Sequence, residues 1–298
     1  MTSRLARIRS MLFIPANKPQ LAPKAVACGA DAIIWDLEDA VPEAEKSRAR
    51  EQLREHLETS ADLPLKQFVR INGLDGVGAL HDLAAITCPA LAGVLVPKVT
   101  RPSDVTVVAT LLSWFEAEAG LENGSVCVVP VLESASGMRL AYEISSASPR
   151  VAYVGGLGVA GGDVERALGF RWSREGTETL MMRSKILLDA RSAGTHNPIT
   201  GMWTDIGDLS GLREFARESR DLGYEGMLAI HPSHIPVINE EFGYGEHEMR
   251  RDIRLVEAMR VASAEGDGST TFEGRMIDHA MSFAAAERLR AWGKAEEA

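Results

Sequence analysis

Cysteine is scarce and badly placed for pairing. Cys28, Cys88 and Cys127 are an odd number, far apart and set among small or apolar neighbours. That pattern argues against a disulfide framework or a zinc cluster and points to a reducing, cytoplasmic setting. Basic blocks are missing as well, and a chain of net charge −10 without a run of Lys and Arg is no general nucleic-acid binder. No apolar run approaches the length of a membrane span. The opening Met1-Thr-Ser-Arg-Leu-Ala-Arg-Ile-Arg-Ser10 is basic but has no apolar core of the kind a secretory signal needs, so a soluble protein with no membrane partner is expected. Internal repeats and low-complexity tracts are lacking too, which argues against a solenoid.

What remains is a chain of 298 residues, 45% apolar, enough for one large α/β domain or two average ones. Short apolar runs alternate with longer amphipathic ones. Strands are predicted at Ser10–Ile14, Ala32–Trp35, Gln67–Ile71, Gly93–Pro97, Val126–Leu132, Val151–Val154, Asn197–Ile199 and Gly226–Ile230. Helical patterns lie between them, among them Pro19–Cys28, Glu43–Leu57 and Gly176–Ala193. The seventh strand is the weakest, because Pro198 and polar neighbours make a poor strand. Eight β-then-α units are the count of a (β/α)8 TIM barrel of the α/β class. Beyond Gly245 two further helices are expected, at about Glu248–Ala264 and Met276–Trp292, with Gly266 and Gly268 in a hinge or linker between them. The expected domains are therefore a barrel over 1–245 and a C-terminal helical extension over 246–298, acting as a lid or as an extra layer.

The chain is organised around Asp31-Ala-Ile-Ile-Trp-Asp-Leu-Glu-Asp-Ala-Val41. Four apolar residues without alternation read as a parallel strand covered on both faces, and Asp36, Glu38 and Asp39 follow at once. Such a cluster needs a cation or a basic side chain to meet it, or else it caps the helix that follows. Arg70, Lys98, Glu133, Asp163 and His231 also stand at or just beyond strand C-terminal ends, the face where barrel enzymes build their sites. Glu133 and Asp163 are two hard oxygen donors from adjacent strands and suit Mg²⁺ better than zinc; the alternative for Glu133 is a helix N-terminal acid beside Ser134. Arg70 could grip a carboxylate or an enolate, or pair with Asp36 or Glu38. Lys98 and Lys46 have the simpler role of neutralising the acids; a Schiff-base lysine would need desolvation.

Gly156-Leu-Gly-Val-Ala-Gly161 matches a dinucleotide fingerprint. It falls mid-chain with no compact βαβ unit around it, so the glycines more plausibly deliver Asp163 than bind a nicotinamide. His231 and His234 flank Pro232 just past a strand, where a hydrogen bond from His231 to a carboxylate or carbonyl is the simpler reading than a shared metal.

Several of these stretches resemble one known family. Ser10-Met-Leu-Phe-Ile-Pro-Ala-Asn-Lys-Pro19, Gly29-Ala-Asp-Ala-Ile-Ile-Trp-Asp-Leu-Glu-Asp-Ala-Val-Pro42, Glu45-Lys46, Val69-Arg-Ile-Asn72, Val96-Pro-Lys98, Leu132-Glu-Ser134 and Ala229-Ile-His-Pro-Ser233 are together similar to the citrate lyase β-subunit family, grouped with HpcH/HpaI aldolases and malyl-CoA lyases. The resemblance runs from about Ser10 to Asp278. It implies a TIM barrel, usually a homotrimer or larger homo-oligomer, that makes or breaks a carbon–carbon bond in a 3-hydroxyacyl-CoA such as citryl-, malyl- or citramalyl-CoA. It further implies that Glu133 and Asp163 bind Mg²⁺, that Arg70 holds the oxo-acid or enolate, and that Glu38 and Asp39 support the metal's water shell. Gly274-Arg-Met-Ile-Asp278 resembles the family's lid motif, whose Asp enters the neighbouring subunit's site; Asp278 would be the acid/base there. Coenzyme A phosphates would lie near Arg9, Lys18 and Arg275. The chain departs from the pattern at Met227, where lysine is usual, at His234, where glutamine is usual, and at Ala280, where proline is common. Alternatives on the same scaffold are an acyl-CoA thioesterase, a malate-synthase-like enzyme, an aldolase of free hydroxy- or oxo-acids, and a non-catalytic subunit that binds CoA esters.

Overall fold

The computed structural model describes residues 7–156, 161–195 and 197–293. Among them, eight parallel strands close a barrel in chain order: β1 Ser10–Pro15, β2 Ala32–Asp36, β3 Lys66–Arg70, β4 Leu91–Val96, β5 Cys127–Leu132, β6 Tyr153–Gly156, β7 Asn197–Thr200 and β8 Gly226–Ala229, with β8 paired back onto β1. This is a TIM barrel. The helices between the strands are α1 Ala22–Ala27, α2 Lys46–Thr59, α3 Gly78–Ile86, α4 Pro102–Glu118, α5 Ala135–Arg139 and α6 Ala141–Ser145. They continue with α7 Asp163–Leu168, α8 Thr177–Ser192, α9 Leu209–Leu222 and α10 His234–Glu241.

The strands lack hydrophobic alternation because both of their faces are buried in apolar layers. Met11, Ala32, Ile34, Phe68, Leu95, Val129, Tyr153 and Leu228 pack together inside the barrel. Leu12, Ile33, Trp35, Val69, Val94 and Val128 face the shell under the helices. With a side-chain period of two, the inward parity of Ile34, Phe68 and Val129 carries on to Asp36, Arg70 and Glu133 at the C-terminal mouth. The convergence of charge there follows from strand geometry.

The weakest predicted strand holds and another shifts. β7 exists despite Pro198, whose carbonyl accepts the Glu225 N–H at 2.9 Å, and it pairs with both β6 and β8. β6 starts two residues later than the apolar run suggests. Val151 makes only an isolated bridge to Val128, whereas Gly155 and Gly156, which look like loop, pair with Val131 and Leu132. Gly156 has a packing reason: a Cβ there would come within 3.0 Å of Ile186. The middle of the glycine motif, 157–160, lies outside the described residues.

The chain divides into two compact units, one up to Phe242 and one from Gly243. The second contains α11 Glu246–Ala264, a hairpin of β9 Ser269–Phe272 and β10 Arg275–Asp278, and α12 His279–Ala291. Leu255, Met259, Ala262, Ile277 and Ala285 form its core, and Arg288 forks onto Asp252 at 2.7 and 2.8 Å. The hairpin corrects the expectation of a helix from Met276. Glu273 and Gly274 both have positive φ, 49° and 75°, as a two-residue type I′ turn requires. Thr270, Thr271 and Phe272 on one side favour a strand. No described helix is long and apolar enough to cross a membrane.

Candidate active site

Asp36 anchors the acidic end of β2 without being free for chemistry. Its carboxylate accepts the Glu38 and Ala40 backbone N–H groups at 2.9 and 3.2 Å and the fork of Arg70 Nε and Nη2 at 2.8 and 2.6 Å. Only 2% of Asp36 is exposed, so it is a buried carboxylate whose cost is met by four donors. Arg70 also reaches Glu38 Oε2 at 2.8 Å and Asp39 Oδ2 at 3.6 Å through Nη1, and its guanidinium lies 5.1 Å from the centre of the Phe13 ring. The ion-pair role foreseen for Arg70 is therefore present. The fork occupies two of its five N–H donors. These anions hold its proton more tightly than usual, outweighing the opposing effect of burial.

Asp39 does not cap a helix. The next helical turn begins after Pro42, which makes no side-chain cap, and the Asp39 side chain is largely exposed. Glu38 is buried, and burial raises its carboxyl above the usual range, with Arg70 and Lys98 pulling it back down.

Lys98 links the acids. Its Nζ donates to Glu38 Oε1 at 2.8 Å and stands 3.8 Å from Asp163 Oδ2 and 3.9 Å from Asp39 Oδ1. Its backbone N–H donates to Glu133 Oε1 at 2.9 Å. Glu133 and Asp163 are thus gathered around one residue. Burial, reinforced by the negative charges of Glu38 and Asp163, pushes the Glu133 carboxyl up to about 7. Ser134, not Glu133, is the cap of α5, accepting the Gly137 N–H at 3.0 Å. Asp163 opens α7 and pairs there with Arg166.

Among the described residues no three of His, Cys, Asp and Glu form a metal-binding group. The pair Glu133 and Asp163 still suits Mg²⁺, which takes one or two carboxylates and keeps waters and substrate oxygens in its remaining positions.

A cleft of about 780 Å³ adjoins this cluster. Its walls are Glu38 and Asp39 after β2, Lys46, Asn72, residues 73–78, Lys98, Thr100 and Arg101. Lys46 donates to Asn72, whose side-chain and backbone N–H groups both donate to the buried Asp82 at 2.7 Å. Arg50 closes the chain from the other side at 3.1 Å. This relay fixes the β3–α3 loop. Sequence reasoning ties Lys46 to neutralising the acids and to the family resemblance, and gives Phe13 no role. Parity with Met11 in β1 is the signal that places Phe13 under Arg70.

Arg9 does not join the site. It precedes β1, and its backbone and guanidinium donate three bonds of 2.7–2.9 Å to Asp31, just ahead of β2. Both therefore sit at the N-terminal mouth, opposite the acids. Lys18 is exposed in the loop after β1, its N–H bound to the Pro15 carbonyl. His231 pairs with the Ser233 hydroxyl and N–H rather than with a carboxylate or carbonyl, and His234 is fully buried at the start of α10. Met227 is buried in the shell between strands and helices, so a lysine's absence there removes no cation from the C-terminal mouth. Asp278 and Arg275 belong to the second unit. There Asp278 accepts the Met281 N–H at 3.0 Å and caps α12.

Residues 9–232 match the model of the HpcH/HpaI aldolase/citrate lyase family. The citrate lyase subunit beta of Escherichia coli is 32% identical over 270 residues, covering 91% of this chain and 88% of that one. A (3S)-malyl-CoA thioesterase of Cereibacter sphaeroides is 32% identical over 291 residues, 96% of each. Among solved structures, the protein CitE from Mycobacterium tuberculosis in complex with magnesium, acetoacetate and coenzyme A superposes with a TM-score of 0.74 at 30% identity, covering 98% of this chain and all of that one.

Proposed function

The chain belongs to the HpcH/HpaI aldolase/citrate lyase family, and from that premise we propose that it is a Mg²⁺-dependent carbon–carbon lyase acting on a 3-hydroxyacyl-CoA of the citryl, malyl or citramalyl type. One observation carries the reading. Lys98 holds Glu133 through its backbone N–H and has Asp163 3.8 Å from its ammonium, at the mouth where Arg70 is held by Asp36 and Glu38. Glu133 and Asp163 would hold the ion, with Glu38 and Asp39 bordering its water shell. Bound there, Mg²⁺ supplies Lewis-acid polarisation of a substrate oxygen. Arg70, locked in place by its fork, would offer its remaining N–H groups to the oxo-acid carboxylate or to the oxygen on which charge develops.

Asp278 is proposed as the acid/base that moves a proton at the acyl-CoA methyl carbon, reaching the site of a neighbouring copy in a homotrimer or larger homo-oligomer. Lys18 and Arg275 are the proposed partners of the coenzyme A phosphates. A second reading, hydrolysis of the thioester, is favoured by the relative named a malyl-CoA thioesterase, which matches nearly full length.

A panel of citryl-, malyl- and citramalyl-CoA with Mg²⁺ separates the two. The lyase yields acetyl-CoA and an oxo-acid, while a thioesterase yields free CoA thiol and the intact hydroxy-acid. Glu133→Ala is expected to remove the metal dependence together with turnover. Binding of all three esters without any product would replace both readings with a CoA-ester-binding subunit.

A further inference from the structure

Lys98 is one of two described non-glycine residues with a positive φ, at 52°. The other, Glu273, is explained by its hairpin turn. At Lys98 a side chain bears the strain of the left-handed region, where glycine would sit freely. A glycine would keep the backbone N–H that holds Glu133, so what the lysine adds is its ammonium. That ammonium lies among Glu38, Asp39 and Asp163. Nearly half of the side chain is exposed, so burial of its stem does not account for its place. Strain of this kind persists where surrounding structure demands it, and it concentrates at functional sites.

We propose that Lys98 is the positioning residue of the cation site, fixing Glu133 through its backbone N–H while its ammonium, alongside Arg166 on Asp163, serves as a resident counter-charge with which an arriving divalent ion competes. The inference rests on the reading of Glu133 and Asp163 as the ion's ligands. It follows from the geometry that one residue sets both the place of the acids and the threshold at which a metal is taken up. Two like charges a few ångströms apart repel, so removing the ammonium should favour the metal.

Titration of the metal-stripped full-length protein with Mn²⁺ alone, followed by calorimetry, tests this. Lys98→Met is expected to bind Mn²⁺ about tenfold more tightly than wild type, the order of effect of one charge at this range in a partly solvated site. Lys98→Arg, which keeps the charge, should stay within about twofold of wild type. The metal-free Met protein should also melt at a lower temperature, because Glu38 loses its ammonium, and Mn²⁺ should raise its melting temperature by more than it raises that of wild type. A merely structural lysine would give the reverse: equal or weaker Mn²⁺ binding in Lys98→Met overturns the proposal. If wild type binds Mn²⁺ and Glu133→Gln does not, the ligand reading stands whatever Lys98 does. If neither wild type nor Lys98→Met binds it, that reading falls and this proposal with it.

Discussion

At Glu133 a single carboxyl sets how the site responds to pH. Its proton is held more tightly in the fold, up to about 7, than in the unfolded chain. In the metal-free protein its contribution to stability is therefore full below the ordinary carboxylate range and is lost as pH climbs through about 7. Denaturant unfolding of wild type and Glu133→Gln near pH 5 and near pH 8 measures this. The Gln variant is expected to gain about 1–3 kcal/mol on wild type across that interval. If Glu133 holds the ion as proposed, the same proton competes with it, and Mn²⁺ affinity should drop by about tenfold for each unit of pH below 7. Arg70 behaves differently, since its worth is tied to Asp36 and Glu38, both buried. Arg70→Met strands those two charges and should cost about 3–5 kcal/mol in urea unfolding. Arg70→Lys should cost less but still lose turnover, because an ammonium cannot form the fork. The acids and Arg70 were legible in the sequence because a charge that ends a buried apolar strand must meet a partner or a ligand there. Arg9 was placed near coenzyme A by the resemblance, although a strand starting at Ser10 already puts it just before β1 and so at the far mouth. The left-handed backbone of Lys98 leaves no sequence signal, since lysine is not a residue that announces it.

Elements carry the site through close approaches that side chains would block. A Cβ on Gly137 would lie 2.2 Å from the Val99 carbonyl, so α5 sits directly on the backbone that follows Lys98. Gly137→Ala must push α5 away, and with it Ser134 and Glu133. The expected outcome is a loss of about 1–3 kcal/mol in thermal or denaturant unfolding, with a larger proportional loss of Mn²⁺ binding. Most strands were legible as apolar runs between turn signals. They were less so at β6, where two glycines stand in the ladder, and in the second unit, where a short hairpin resembles a linker and the start of a helix. The signal there was available: Thr-Thr-Phe, a turn pair ending in glycine, and Arg-Met-Ile follow hairpin chemistry.

For the molecule as a whole, the proposed sharing of Asp278 between copies makes a mixing experiment decisive. Co-expressed Glu133→Gln and Asp278→Asn chains are each expected to be inactive alone. If the site is composite, randomly mixed oligomers should recover about a quarter of wild-type activity, the share of sites that combine an intact barrel with an intact neighbour. No recovery, with mixed oligomers verified by mass, would confine each site to one chain. Barrel closure was readable as a count of eight, although which residue of β8 meets which of β1 was not. That closure has a consequence for biosynthesis. The first strand to leave the ribosome finds its second neighbour only when the last strand has emerged, so a growing nascent chain carries an unpaired edge for most of its translation. Ribosome-stalled chains ending before Gly226 should accordingly remain open to protease, and the cell's chaperones should meet this protein chiefly in that half-made form.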